Sequence, residues 1–463
     1  MSMPERRAGE RRRQEPAIEL PMGAQAATQP AEIEKSGFKN LLSNGEFRLI
    51  WASQITSQLA DKFLVYSLLT VTYQRSGSNT QDAVVLLAYT SPSVLLSPIA
   101  GVYADRFDKR HLMMLTNIIR AGLIMMVPVL SLVPYFQGVT WHLLVITLLF
   151  SSVGQFFAPA EASSLPFIMP KRSLVTATSV FTLTIVVTLV VGLPISSVLV
   201  RVFGSTSPYF VAAGLFAAAA VFNTLMRTQL SAARTEPLHG VPVNELTRVW
   251  RAVSETVSFI RERPQLLRSF GQLGLAVMLI FTIFTLSQGY MKTVLNLDPR
   301  DSYIILVPAA LGMGAVAVYL GRGHVKNRDN LITQGMLALG VMLFLMGIGP
   351  YALSLLHARG FFLAFAAVVG GFFGAAFGAV FIPAVTLLQE STDPEQRGRT
   401  FGAMFTVLNL AIAVPLFLAG LAADTFGLNL VLVLMGTILA GVVVLPLTAR
   451  WIARRRGTMA PSE

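Results

Sequence analysis

Four ionisable side chains lie inside long apolar segments of the sequence, where an isolated charge is costly. They are Asp61, Lys62, Arg120 and Glu161, all in the first half of the chain. An ionisable group in the hydrocarbon core of a bilayer costs several kcal/mol, so its presence indicates proton binding or ion pairing. The core portions of the last five apolar segments carry no such group. Any titrating chemistry is therefore expected in the first half.

The depth of these groups follows from the helical rise of about 1.5 Å per residue. Asp61 comes thirteen residues after Arg48, which places it roughly 20 Å from one membrane surface. Arg120 and Glu161 each lie ten residues from a basic flank, roughly 15 Å from the same surface. Arg120 and Glu161 lie at the same depth and could form an ion pair. On the structural interpretation, an Arg120–Glu161 pair or an Asp61–Lys62 pair only fixes helix packing. On the functional interpretation, Asp61, Glu161 and Arg120 are candidates for proton coupling.

One face of the first apolar segment is polar. Gln54, Gln58, Asp61 and Val65 follow one another at spacings of four, three and four, which puts them on one side of a helix. Two amides and an acid on one face predict the wall of a polar cavity.

The composition indicates a membrane protein. The chain has 463 residues, of which 54% are hydrophobic and 13% charged, whereas a soluble chain carries about 25% charged residues. The apolar residues come in runs long enough to cross a bilayer. Cysteine is absent, which excludes disulfides and thiol chemistry. The net charge of +12 is divided among short loops, a pattern of membrane topology rather than of a nucleic-acid surface.

Twelve membrane-spanning helices are predicted, which makes this an all-α integral membrane protein. Five of the 36 Lys and Arg fall in loops on one side, and most of the others fall on the opposite side. The positive-inside rule therefore predicts that both termini are cytoplasmic. The predicted spans are 46–74, 82–104, 111–133, 141–168, 174–200, 208–228, 266–291, 302–320, 331–350, 360–389, 398–422 and 428–450.

The spans divide into two halves of six. In the first half Pro159 precedes Phe203-Gly204, and in the second Pro383 precedes Phe426-Gly427, with Pro-to-Gly separations of 45 and 44 residues. Such weak repetition is typical of transporters built from two related bundles. Residues 244–263 show apolar positions at helical spacing, which predicts an amphipathic helix on the inner surface. The predicted organisation is a disordered cytoplasmic tail (1–36), an N-terminal bundle (37–230), a cytoplasmic linker (231–264), a C-terminal bundle (265–452) and a cytoplasmic tail (453–463).

The turn between the second and third spans is densely charged. Its sequence resembles the G-x-x-x-D-R-x-G-R-R/K signature of the major facilitator superfamily. Gly101 is expected to let a neighbouring helix approach closely. Asp108 stands where the family has Gly, and Lys109 stands where it has Arg. The matching residues are Gly101, Asp105, Arg106 and Arg110.

Residues 47–62, 156–162 and 397–402 look like the bacterial exporter branch that includes macrolide-efflux proteins and the enterobactin exporter. The resemblance implies two pseudo-symmetric six-helix bundles and a monomeric secondary transporter of the bacterial inner membrane that works by alternating access without a cofactor. It also implies proton-coupled efflux of a lipophilic or amphiphilic small molecule, such as a drug or a siderophore-like compound. Residues 151–156 lack the Arg of the drug-antiporter motif in the fourth helix.

Two sets of residues are carried over from the resemblance. In the superfamily the first, fourth, seventh and tenth helices surround the central cavity, which places there Gln54, Gln58, Asp61, Phe157, Glu161 and Gln272. The charged turn would close the cytoplasmic side, with Asp105 meeting the start of the eleventh span. This gate comprises Gly101, Asp105, Arg106, Lys109, Arg110, Arg397 and Arg399.

Other classes of function find less support. The five His are scattered, and the sequence contains neither HExxH nor GxSxG, nor a Walker A motif, so a membrane-embedded enzyme is disfavoured. A repeated filter-like loop, typical of a channel, is absent. A lysophospholipid flippase of the same superfamily remains the nearest alternative, and a transport-inactive sensor is the other.

Overall fold

The computed structural model describes residues 41–170, 173–228, 230, 254, 258, 261–262, 264–322, 328–355, 361–390 and 397–455. The predicted tail at 1–36 and nearly all of the predicted amphipathic helix at 244–263 lie outside these residues, as do residues 456–463.

Twelve long helices account for nearly all the regular structure of the described residues. They fall where the sequence predicts twelve spans, and each predicted boundary lies within a few residues of the observed one. The helices are α1 Gly45–Ser76, α2 Asn79–Arg106, α3 Lys109–Leu130, α4 Trp141–Ile168, α5 Leu174–Phe203, α6 Ser207–Leu225, α7 Pro264–Gly289, α8 Tyr303–Gly321, α9 Arg328–Leu355, α10 Phe362–Glu390, α11 Arg397–Phe426 and α12 Leu428–Arg455. Helix α7 continues as a π-helical turn, Tyr290–Val294, and a short 3₁₀ turn, Pro299–Ser302, precedes α8.

Eight of the described helices, α3 to α10, are long and apolar enough by themselves to cross a membrane. In α11 and α12 the described apolar stretches are shorter, Ala411–Phe426 and Leu428–Val444. Helix α1 has a lower hydropathy because it contains Asp61 and Lys62 together with many Ser, Thr and Gln residues. The predicted all-helical membrane fold is confirmed, with eight described helices that could cross a membrane by themselves and shorter apolar stretches in α11 and α12.

The helices form two bundles of six, α1–α6 and α7–α12. Within the first, α1 packs against α5 and α6, and α3 against α6; within the second, α10 packs against α8 and α9. Between the bundles, α2 packs against α11 and α5 packs against α8. The second helix of each bundle thus packs against the fifth helix of the other bundle, as a pseudo-twofold axis requires.

The repeat that the sequence predicts is visible in the backbone. Gly204 ends α5 with φ of 91° and Gly427 ends α11 with φ of 87°. A positive φ of this size is accessible to Gly without steric cost. Pro159 and Pro383 lie in corresponding helices, α4 and α10, but a turn at residues 155–156 interrupts α4 just before Pro159 whereas α10 is continuous through Pro383.

Two faces of the molecule are named here by what they hold. The terminal face carries the described chain ends, residues 41 and 455, and the α2–α3 turn. The opposite face carries the α1–α2, α5–α6, α7–α8 and α11–α12 connections.

Candidate functional site

An ion pair between α1 and α3 forms the centre of the site. The guanidinium of Arg120 donates to Oδ1 of Asp61, and the hydroxyl of Tyr89 on α2 donates to Oδ2 at 2.8 Å. The side chains of Arg120 and Asp61 are only 7% and 14% exposed. Both oxygens of the acid are therefore satisfied, and the first three helices are tied together at one point deep in the bundle.

Aromatic rings surround the cation. The guanidinium carbon of Arg120 lies 4.3 Å from the ring centres of Phe150 on α4 and Phe216 on α6. Cation–π contacts contribute roughly 0.5–2 kcal/mol each as water is excluded. Gly154 lies beside them, and a Cβ there would come within 3.4 Å of the guanidinium carbon. A small residue at this place leaves room for the buried cation.

The expected Arg120–Glu161 pair is wrong. Arg120 pairs with Asp61, because α1 and not the second part of α4 presents its acid to the guanidinium. Glu161 is 6% exposed, and its Oε1 has no hydrogen-bond partner among the described residues. The Asp61–Lys62 pair is also not formed. These two corrections leave Asp61 with a counter-ion and Glu161 without one among the described residues.

Lys62 lies close to α5. A Cβ at Gly192 would lie 2.8 Å from Cβ of Lys62 and 3.1 Å from its Cγ. The absence of a side chain at Gly192 thus lets α1 and α5 come together along the lysine stem.

The six residues expected at a central cavity lie in different surroundings. Gln54 is buried, and its amide donates to the carbonyl of Phe181 on α5 at 3.2 Å. Phe157 is buried in an apolar cluster at the terminal face. Gln58 and Gln272 are half-buried. Gln54 and Phe157 therefore pack between helices in this conformation, which their sequence spacing did not reveal.

The charged turn between α2 and α3 is built on Asp108. Its Oδ1 accepts from the backbone N–H groups of Arg110 at 2.9 Å and His111 at 3.3 Å. The residue that replaces the family's Gly is thus an N-cap of α3, a role for which Asp is favoured. Among the described residues, a Cβ at Gly101 would meet nothing within 4 Å. The close helix approach at Gly101 stays a prediction.

The two bases that follow the turn are bound to helix α6 and the residues after it. Lys109 is 2% exposed, and its amine donates to the carbonyl of Leu230 at 3.2 Å and lies 5.1 Å from the ring centre of Phe167. Arg110 donates to the carbonyl of Thr224. Cations suit the carbonyl end of a helix. Arg106 is exposed, and the side chains of Asp105, Arg397 and Arg399 lie outside the described part.

A latch between the two bundles lies at the opposite face. The carboxylate of Asp424, near the end of α11, accepts five hydrogen bonds of 2.7–2.9 Å from the start of α2: two from Asn79, two from Thr80 and one from the hydroxyl of Ser78. A carboxylate at a helix N-terminus also interacts favourably with the helix dipole. Sequence reasoning missed this contact; the only signal was the Ser-Asn-Thr start of a helix.

Asp424 lies beyond the predicted span 398–422. Burial raises the pKa of its carboxyl, but hydrogen bonds from Ser78, Thr80 and Asn79 outweigh that effect and lower the pKa to about 2. The latch is therefore ionised at neutral pH.

Further contacts close the same face. Nε of Arg201 on α5 lies 3.0 Å from Oδ1 of Asp301, just before α8. A Cβ at Gly420 on α11 would lie 2.9 Å from the carbonyl oxygen of Asn79. The α2–α11 and α5–α8 pairs thus meet closely at the opposite face.

The comparison with known families decides the identity of the fold. The family model described as Major Facilitator Superfamily matches residues 50–414. The chain belongs to the major facilitator superfamily. The resemblance stated from the charged turn is confirmed, and the family is one of membrane transporters.

Among curated relatives, macrolide efflux protein A of Streptococcus pyogenes is 24% identical over 86% of this chain and 94% of its own length. The multidrug efflux pump Tap of Mycolicibacterium fortuitum is 23% identical over 83% and 91%. The MFS-type transporter YfiS of Bacillus subtilis (strain 168), an uncharacterised protein, is 26% identical over 92% and 97%. The two efflux proteins thus each match more than four fifths of this chain.

Solved structures confirm the fold. A bacterial homologue of the human lysosomal transporter Spinster, in an inward-facing and unoccupied conformation, has a TM-score of 0.64 at 12% identity, covering 86% of this chain and 95% of that one. The nucleoside transporter NupG has a TM-score of 0.58 at 13% identity, covering 86% of this chain and 98% of that one.

Proposed function

We propose that this superfamily member is a proton-coupled exporter of a lipophilic or amphiphilic small molecule. It works as a monomer in the bacterial inner membrane, with the terminal face in the cytoplasm. One observation carries the coupling: Arg120 pairs with Asp61 and leaves Glu161 buried without a partner among the described residues.

The proposal rests on the different surroundings of two acids. An ionised carboxylate buried without a counter-ion is costly, and the cost falls when the group binds a proton. Glu161 is therefore neutral in this conformation, whereas Asp61 has a counter-ion in Arg120. A conformational change that hydrates Glu161, or that brings Arg120 to it, releases the proton. Such alternation in protonation is what couples a proton gradient to transport.

Alternating access supplies the change of conformation. The Asp424 latch and the Arg201–Asp301 pair hold the opposite face closed. In the alternative state this face opens and the terminal face closes, with Asp105 meeting the start of α11. Contacts between α2 and α11 would close either face. Rocking one bundle against the other therefore opens one face as it closes the other.

The cargo class follows from the relatives and from the lining of the bundle interface. Two relatives are named for efflux of macrolides and of multiple drugs. An apolar cavity of about 70 Å³ lies between α5 and the C-terminal bundle, with Phe284, Met346 and Phe373 in its wall. Drug-sized ligands occupy roughly 300–1,000 Å³, so cargo needs a wider, rearranged site. Apolar and aromatic side chains at this interface suit a lipophilic molecule.

Flux in proteoliposomes tests the proposal. The full chain would be offered a macrolide and a lysophospholipid, with and without an imposed proton gradient. Glu161→Gln imitates the protonated acid, so gradient-driven flux of the drug should be lost while downhill exchange remains. Asp61→Asn should also lose coupling, because it releases Arg120. Asp298→Asn, an exposed acid of the opposite face, is the matched control and should behave as wild type.

Two outcomes would contradict the proposal. Drug flux that ignores the gradient in wild type, or a gradient response that Glu161→Gln retains, would exclude coupling through this acid. Gradient-independent movement of the lysophospholipid alone would instead identify a flippase.

A further inference from the structure

We propose that Asp82 is a second proton-binding carboxyl, at the opposite face, which takes up a proton as that face closes. The inference rests on the proposed proton-coupled function, because Asp82 would be the place at which a proton enters the transport cycle. Nothing in the sequence pattern singles out this residue, which stands at the very edge of the predicted span 82–104.

The surroundings of Asp82 are unusual for an acid. It lies in the first turn of α2 and is 0% exposed. Neither of its carboxyl oxygens has a hydrogen-bond partner among the described residues. A buried carboxyl without partners is far less costly as the neutral acid than as the anion.

The helix N-terminus does not solve this problem, because a different carboxylate already occupies it. Asp424 of α11 accepts from the N–H groups of Asn79 and Thr80, and the hydroxyl of Ser78 accepts from the N–H of Gln81. The first backbone N–H groups of α2 are therefore already hydrogen-bonded when the latch is closed. Asp424 also adds a negative charge that acts on Asp82.

The other described elements packed here supply no counter-ion within reach. On α1, the titratable side chain on which the charge of Asp82 acts is Tyr73. Lys292, in the π-helical turn after α7, is exposed, and its amine lies 6.0 Å from the ring centre of Tyr73. Among the described residues, neither Asp82 nor Lys292 takes part in an ion pair within 4.0 Å.

Closure of the face and protonation of Asp82 are thus linked. Parting α2 from α11 would admit water to Asp82, and a hydrated aspartate ionises well below neutral pH. Closing the face again removes that water and brings Asp424 to the start of α2. The closed state then binds one proton more than the open state at this residue, so acid favours closure.

The test uses the full chain, whose natural sequence has no cysteine, in lipid nanodiscs. Spin labels on Thr206→Cys and Thr425→Cys, two exposed positions on different bundles, report the distance across the opposite face. In the Glu161→Gln background, which removes the other proposed proton site, the ratio of short to long distances should rise between about pH 8 and about pH 5, by up to about tenfold per pH unit for one proton. Adding Asp82→Asn to this background should give the short distance at every pH, while adding Asp298→Asn should keep the pH response.

A second variant keeps the test decisive even if Asp82→Asn folds poorly. Asp424→Asn weakens closure but leaves Asp82 intact, so the transition should move to lower pH with its slope unchanged. A distance that does not respond to pH in the Glu161→Gln background overturns the inference, as does a response that survives when Asp82→Asn is added or a midpoint that Asp424→Asn leaves in place. Because no cargo or gradient is present, these results are separate from the flux assay: lost proton-driven flux with an intact Asp82 response would overturn only the coupling through Glu161.

Discussion

Arg120 on α3 pairs with Asp61 on α1, 59 residues away, and its guanidinium stacks against two phenylalanine rings. The same contact decides the state of Glu161, which loses the partner that its depth suggested. A single pairing thus leaves Asp61 with a counter-ion and Glu161 without one among the described residues.

The first prediction concerns this pair. Arg120→Leu removes the cation and leaves Asp61 largely buried beside Tyr89, so the free energy of unfolding in detergent should fall by about 3–5 kcal/mol. The double variant Asp61→Asn/Arg120→Gln removes both charges and should recover part of that loss. Equal losses in the single and double variants would show that the charge pairing is irrelevant to stability.

The second prediction concerns the contact of α1 with α5. Gly192→Ala places a methyl group 2.8 Å from Cβ of Lys62, which cannot move away as a flexible chain end would. Overpacking of this kind costs about 1–3 kcal/mol, measurable as a lowered thermal midpoint. Gly214→Ala is the control, because a Cβ there meets nothing within 4 Å. If both variants melt alike, the close approach of the two helices is not real.

The third prediction concerns the buried base after the charged turn. Lys109→Met keeps the aliphatic stem but leaves the carbonyl of Leu230 without its donor, at a cost of about 1–3 kcal/mol. The unfolding free energy should fall accordingly, whereas Arg106→Met, at an exposed position, should change it little. A larger effect at Arg106 than at Lys109 would assign the turn's importance to its surface charge instead.

The fourth prediction concerns the latch and its pH dependence. Asp424→Asn loses the charge at the start of α2, so a cysteine at Gln288, buried near the interface, should react faster with a membrane-impermeant maleimide. The pKa of Asp424 is about 2, below its ordinary value of 3.8. A depressed pKa means that the latch is fully present above the ordinary value and is lost only as the pH falls through about 2.

It follows that the latch carboxylate does not titrate between about pH 5 and about pH 8. Any pH dependence of the cysteine reaction in that range must come from other groups, for which Asp82 and Glu161 are the proposals. Asp298→Asn again serves as the control. Labelling that is unchanged by Asp424→Asn would mean that the five hydrogen bonds do not hold the face closed.

Part of the site could be read from the sequence and part could not. The choice of Asp61, Arg120 and Glu161 as candidates followed from their position in apolar segments, because an unpaired charge becomes more costly the deeper it lies in hydrocarbon. Their pairing did not follow, because several helices place side chains at one level and only their rotation selects the partner. The role of Asp108 was also hidden, since a cap is recognised by the helix that it begins.

The sequence by itself determined the number of helices, their ends and their division into two bundles. Hydropathy and the residues that end a helix act locally along the chain, and so Gly204 and Gly427 mark corresponding ends before any packing is known. Only the tertiary structure decided which groups meet. Asp424 lies 345 residues from Asn79, and Asp82 becomes a buried acid only because α11 covers the start of α2. Contacts of that kind depend on how the bundles are rotated and docked, which no local pattern encodes.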